Sequence, residues 1–355
     1  TLSLHDALPI WSAVGSLLVE ENGVMFPDQI QQIIDHYFHE EVRTLKELVQ
    51  IESVVAPWEE RSGVVMPFGA GVHRAYQYML EKGRENDFAI EDAEHYGGHI
   101  QLNHTVEERG KPEKTMGIVC HLDTVPLGNG WQHDPLSGEE DQGRLYGRGT
   151  NDDKGPAVAA FYAMKAVAEC SVPRRNNVRL ILGLDEETDW IGMEQYKKAV
   201  DPPDFGFTPD ADFPAIHGEK GILVFELARK FERPASEGLE LRKVEGGSAP
   251  NMVADRARAV IHAKSERTYH AVQELAVQES QNSPLSFRTK KTGKSMEIVC
   301  IGKSAHGAHP DLGENAITGL MAFLSQLHFA NEDVNAFIAF YHADQIGRAS
   351  CRERV

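Results

Sequence analysis

A short apolar run, Met116 to Cys120, stops at His121-Leu122-Asp123, and a loop rich in Gly, Pro and Asp then leads to a second acidic point, Asp152-Asp153-Lys154. No other stretch constrains the chain as much. An apolar run that breaks off on polar residues reads as a buried strand, and the apolar residues beyond Pro156 read as a helix. His121 and Asp123, two apart on a strand, project to the same face. An imidazole placed there can bind a metal while the neighbouring carboxylate orients the ring. The stretch predicts a metal-dependent hydrolase.

The flanking sequence supplies the rest of an α/β pattern. Apolar residues at helical spacing predict a helix over 27–51, with Pro27 in its first turn, and a second over 71–82. Strands are expected at 99–103 and 117–121, a helix at 156–168, a strand at 178–184, a helix at 190–199 and a short strand at 205–208. Strands alternating with helices imply a mostly parallel sheet with flanking helices, and such sheets hold ligands at the carboxyl ends of their strands. His121, Asp152, Glu186, Glu187 and Asp210 all fall at or just past such ends. Beyond Gly221 the texture changes. Strands at 222–230, 254–263, 295–301 and 337–341, with helices at 266–278 and 314–327, predict a smaller α+β domain with an antiparallel sheet.

The two ends of the chain stand apart. Ile346 to Val355 can be back-translated into DNA whose reverse complement, in another frame, encodes Thr1 to Ile10. Termini related in this way are the signature of a sequencing adapter translated at both ends of a DNA fragment. Residues 1–10 and 346–355 are therefore set aside, as one sets aside a tag. The chain is expected to be cut short after Gln345, and Met25 precedes the first convincing element.

Composition narrows the partners. With 36 basic and 54 acidic residues the formal charge is −18, which argues against nucleic acid or an anionic membrane as a partner. No apolar run reaches the length of a membrane span. Cys120, Cys170 and Cys300 are scattered, with no CxxC pair, and Cys351 lies in the set-aside end. They give neither a disulfide framework nor a zinc-finger pattern, and a reducing compartment, the cytoplasm, is expected.

Each candidate residue has a plainer reading. A His at a strand end is commonly a hydrogen-bonded structural residue, Glu186 and Glu187 could cap the helix that follows, and Asp210 could belong to a turn. Together, however, His121-x-Asp123-x-Val125-Pro126, Gly147-Arg148-Gly149, Asp152-Asp153-Lys154-Gly155, Asp185-Glu186-Glu187 and Pro209-Asp210 resemble the M20 metallopeptidase family. Within that family, Pro67-Phe68-Gly69, the run from Glu186 to Trp190, the run from Thr208 to Pro214 and the run from His217 to Gly221 are similar to bacterial dipeptidases of the PepV type, relatives of carnosinase-like enzymes.

The resemblance implies a zinc-peptidase-like catalytic domain, residues 25–221 and a missing carboxyl-terminal remainder, and a ferredoxin-like lid, residues 222–345. It implies two zinc ions, with manganese or cobalt as substitutes. His121 and Asp210 would hold one ion, Glu187 the other, and Asp152 would bridge them. Asp123 would orient His121, and Glu186 would be the general base acting on a metal-bridged hydroxide. A cis peptide bond would follow Asp152. His306, in Lys303-Ser304-Ala305-His306-Gly307, would stabilise the oxyanion, and Asn251 would contact substrate, although two polar residues capping turns would look the same. The histidine that completes the second zinc site and an arginine for the substrate carboxylate would lie beyond Gln345, so this fragment is expected to be inactive. The expected protein is a monomeric dipeptidase acting on dipeptides. Other M20 activities (N-acyl-amino-acid deacylase, aminotripeptidase, carboxypeptidase) and a non-catalytic binding protein on the same fold are the alternatives.

Overall fold

The computed structural model describes residues 2–3, 27–105, 114–170, 173–211, 216–218, 221, 230–231, 238–343 and 353–354. The strand expected at 222–230 and most of the run from Asp212 to Gly221 lie outside the described residues. The chain forms two units, one of Thr1–Val125 with Gln132–Gly218, the other of Pro126–Trp131 with Glu219–Val355.

In the first unit the elements are, in order, β1 (Leu2–Ser3), α1 (Pro27–Val49), β2 (Glu59–Arg61), β3 (Val64–Met66), α2 (Gly69–Glu85), β4 (Ala89–Asp92), β5 (Gly98–Leu102), β6 (Thr115–His121), β7 (Glu139–Asp141), β8 (Arg144–Tyr146), α3 (Lys154–Glu169), β9 (Asn177–Gly183), α4 (Ile191–Ala199) and β10 (Phe205–Phe207). Five of the strands make one mixed sheet in the order β10-β6-β9-β5-β4. β10, β6 and β9 are parallel, whereas β5 runs antiparallel to both β9 and β4. Four strands therefore point one way and β5 the other. The parallel centre follows from β6 and β9, whose near-continuous apolar runs suit burial on both faces.

α3 explains how the sheet is covered. Its Ala157, Ala159, Ala160, Ala163 and Ala166 are all buried, and their small side chains let the helix lie close to the sheet and to α1. Leu48 and Val49 of α1, Val72, Tyr76 and Met79 of α2, and Phe161 of α3 meet Ile118, Leu180 and Leu182 in one core. Ala93, Ile181 and Tyr196 form a smaller cluster, with Val119 and Met193 packed against it.

The second unit contains β11 (Glu240–Gly246), β12 (Arg256–His262), α5 (Glu266–Asn282), β13 (Ser286–Thr292), β14 (Ser295–Ile301), α6 (Ala316–Leu324), α7 (Glu332–Ala343) and β15 (Glu353–Arg354). Its sheet is antiparallel throughout, in the order β13-β14-β12-β11-β15. Ala257, Ala259 and Ile261 of β12 alternate into a core shared with α5, α6 and α7, as period two requires.

One expected strand is corrected. Residues 337–341 belong to α7, where Val334, Ile338 and Tyr341 are buried at the spacing of one helical face. Asn331 starts the helix, its side chain accepting from Asp333 N at 2.9 Å, and Glu332 and Asp333 suit the first turn. Three two-residue hairpins were not anticipated, and β2 and β3 are joined by Ser62-Gly63, both at positive φ. β7 and β8 are joined by Gln142-Gly143, both at positive φ, which is the twist a type I′ turn supplies. β13 and β14 are joined by Gly293-Lys294, with positive φ at Gly293 alone, as in type II′. Among the described residues no helix is long and apolar enough to cross a membrane.

Phe161 is fully buried and packs edge-on against Phe88 at 5.7 Å between ring centroids. Phe161→Ala is expected to cost about 3–5 kcal/mol, because the cavity it leaves is ringed by sheet and helix and collapses poorly. Urea unfolding checks this, and an unchanged midpoint would show that the core repacks freely.

Candidate metal centre

Three loops at the carboxyl ends of β6, β9 and β10, with the turn before α3, converge on one imidazole. His121 is the last residue of β6, and the ladder continues one step past it, with Leu122 N donating to Gly183 O at 3.0 Å. The His121 Nε2 lies 3.1 Å from Asp152 Oδ1, 3.4 Å from Asp210 Oδ2 and 3.9 Å from Glu186 Oε2. The other ring nitrogen, Nδ1, faces the Asp123 carbonyl at 3.0 Å and the Asp123 carboxylate at 3.3 Å. With only acceptors before it, Nδ1 carries a proton and leaves Nε2 for a metal.

Asp123 is wholly buried, and its two carboxylate oxygens accept from Glu186 N at 3.1 Å and Glu187 N at 3.0 Å. The same carboxylate thus holds both the ring and the loop after β9. Asp185 closes that loop from its other end. Its carbonyl accepts from Thr188 N and Trp190 N, and its Oδ1 accepts from Gly192 N at 3.0 Å. The peptide bond between Asp152 and Asp153 is cis, as the family resemblance implied. Asp153 turns inward, where its Oδ2 accepts from His121 N at 3.0 Å.

Electrostatics show the strain of gathering so many acids. Burial raises the Glu187 carboxyl to about 8, reinforced by Asp152, and burial likewise raises Glu186. Burial followed by the charge of Asp210 holds Asp153 well above the usual carboxylate range. Burial alone would lower His121, but hydrogen bonds to Asp123, Asp152 and Asp210 outweigh it and raise the imidazole well above its ordinary value. Carboxylates outnumber the cationic groups at this site. Ligand atoms of His121, Asp152 and Asp210 all lie within 4.8 Å of one another, and an imidazole nitrogen with carboxylate oxygens is a donor set that suits zinc, manganese or cobalt. These residues fit a divalent metal.

Asn251 and His306 belong to the second unit, where they neighbour each other. Met252 bridges to His306, and Gly307 N donates to Asn251 O at 2.6 Å. His306 is exposed, and its Nδ1 accepts from Ala308 N at 3.3 Å. Cys120 is buried, and burial, then Asp153, pushes its thiol well above the ordinary range, so it is no nucleophile. Arg148 went unassigned in the sequence although it stands in the Gly147-Arg148-Gly149 motif. It is held in a buried setting that lowers its guanidinium, against Glu187 and Asp152, which favour the charge.

Residues 117–329 match the model of peptidase family M20/M25/M40. The chain belongs to this family. It is 36% identical over 306 residues to a protein of Staphylococcus epidermidis named "Putative dipeptidase", covering 86% of this chain and 63% of that one. It is 35% identical over 318 residues to a similarly named protein of Staphylococcus aureus strain USA300, covering 89% of this chain and 64% of the other. The M20 chain thus spans less than two thirds of the length of these relatives. Human carnosine dipeptidase 1 is similar in structure at 15% identity and a TM-score of 0.44, over 94% of this chain and 79% of that one, a likeness too slight to bear on function. M20 peptidases are metal-dependent hydrolases, and the cluster around His121 is where this chain can hold a metal.

The raised Glu187 carboxyl has a consequence for stability. Between its unfolded value of 4.5 and its folded value of about 8, the metal-free folded chain keeps a proton that the unfolded chain has released, so this group lowers stability as pH rises through that window. His99, held down to about 4 by burial, and Lys154, held down to about 7, act in the opposite sense, so a difference measurement is needed. Glu187→Gln should match the parent near pH 4 and become progressively more stable than it up to about pH 8, read as urea midpoints without metal. A difference independent of pH would refute the assignment.

Proposed function

We propose that the protein is a zinc-dependent dipeptidase, with residues 25–221 in its catalytic domain and 222–345 in its lid domain. The observation that carries this reading is the convergence of Asp152, Asp210 and Glu186 on the Nε2 of a histidine locked by Asp123, in an M20 chain whose relatives carry dipeptidase names. In this reading His121 and Asp210 would hold one zinc, Glu187 would hold a second, and Asp152 would serve both. Manganese or cobalt is an alternative metal. Bound ions would lend Lewis acidity to the scissile carbonyl and to the attacking water.

The chain's own groups do the remaining work. Asp123 keeps the His121 proton on Nδ1. Glu186, its backbone fixed on Asp123, takes a proton from the water as general base and hands it to the leaving amine. It can do so because Glu187, next to it, is committed to metal. His306 is assigned to the developing oxyanion and Asn251 to the substrate. The acidic charge and scattered cysteines support a cytoplasmic protein with no nucleic-acid partner, and a monomer is proposed from the resemblance to PepV-type dipeptidases.

The test is made on the whole protein, at the length of its relatives. Dipeptides should be hydrolysed faster than tripeptides or N-acetyl amino acids, and a chelator should abolish turnover until zinc is restored. Glu186→Ala should retain metal and lose turnover by about 10²–10⁴-fold. Faster hydrolysis of N-acetyl amino acids would move the assignment to deacylation. Tight metal binding without hydrolysis of any of these substrates would make the protein a binding protein on a peptidase fold.

A further inference from the structure

The segment between α1 and β2 is tied to the backbone on both sides of Asp123. Ser53 is fully buried, and its hydroxyl donates to Leu122 O at 2.7 Å. Its own carbonyl accepts from Thr124 N at 3.0 Å, and Val54 bridges to Thr124 in parallel register. Ser53 therefore grips the chain immediately before and after Asp123. Five residues upstream the same segment is gripped from the other side. Lys154, at 1% exposure, sends its ammonium inward to Leu48 O at 3.1 Å and Ile51 O at 2.7 Å. Leu48 lies in the last turn of α1, where its carbonyl also accepts from Ile51 N at 3.2 Å, and Ile51 lies two residues past the helix end.

Gly149 makes the second grip possible. A Cβ there would stand 2.9 Å from Lys154 Cδ and 3.1 Å from Thr124 Cγ2. The space it leaves lets the Lys154 stem pass beside Thr124. The segment 48–54 thus joins the strand end that carries His121 and Asp123 to the helix start that carries Asp152, through hydrogen bonds within one rigid set of buried groups.

We propose that Ser53 and Lys154 are positioning residues for the metal centre: the brace they form across 48–54 sets the separation of His121 and Asp152. The inference rests on the metal reading above. A brace that fixes ligand spacing acts on metal affinity, whereas a merely structural contact acts on stability alone. Ser53→Ala removes the hydroxyl with little change of volume, and Lys154→Met removes the ammonium while keeping the stem.

The test is titration of the full chain with Zn²⁺ alone, in competition with a chromophoric chelator, alongside urea unfolding of the metal-free proteins. Each variant, where folded, is expected to bind Zn²⁺ about 10–100-fold more weakly than the parent, the size of effect seen when ligand-supporting groups are removed. If Ser53→Ala fails to fold, Lys154→Met reads the other end of the brace. A lowered urea midpoint with parental Zn²⁺ affinity would overturn the proposal and leave the metal centre standing. Failure of the parent itself to bind Zn²⁺ would overturn the metal reading and this one with it.

Discussion

Everything at this site depends on one buried carboxylate. Asp123 accepts from two successive backbone N–H groups, Glu186 and Glu187, and faces the Nδ1 of His121. A carboxylate with no water around it is costly unless its oxygens are occupied, and here both oxygens are occupied by groups that carry other acids. Burying Asp123 therefore fixes the ring, the loop after β9 and the direction in which two glutamates leave the backbone. Replacing it by a neutral side chain would free all three at once.

The fold supplies the rest by bringing strand ends and a helix start to the same edge. β6 and β9 are parallel and in register from Thr115 opposite Asn177 to His121 opposite Gly183, so the loops that follow them emerge side by side. The α3 helix brings Asp152 and Asp153 to that edge because its alanine-rich body can sink against the sheet. Asp153 then bonds the His121 backbone, which couples the helix start to the strand end directly. The family assignment agrees with this arrangement, and the geometry gives its physical cause.

Much of this was legible in the sequence because it rests on period and punctuation. β6, β9 and β14 announce themselves as apolar runs, and α1 and α2 as apolar stripes at helical spacing. His121, Glu186 and Asp210 were legible because each sits where such a run stops, and Asp152 because it stands just before an apolar helix begins. What escaped has physical reasons. β7 is all acidic and β13 mostly polar, so neither shows an apolar pattern, and only the Gln142-Gly143 and Gly293-Lys294 turns betray these two hairpins. Residues 337–341 are apolar enough for a strand, and the helical spacing of Val334, Ile338 and Tyr341 emerges only over a longer window. Ser53 and Lys154 act through backbone carbonyls, which leave no mark in a sequence.

The raised imidazole of His121 and the raised carboxyl of Glu187 also bear on how the centre is loaded. In the proposed reading, protons would occupy the positions from which a cation would draw its ligands. Loading is then an exchange, with protons leaving as the ion enters. The hydrogen ion would then compete with a metal at the same atoms, and the apparent affinity of the centre would rise with pH.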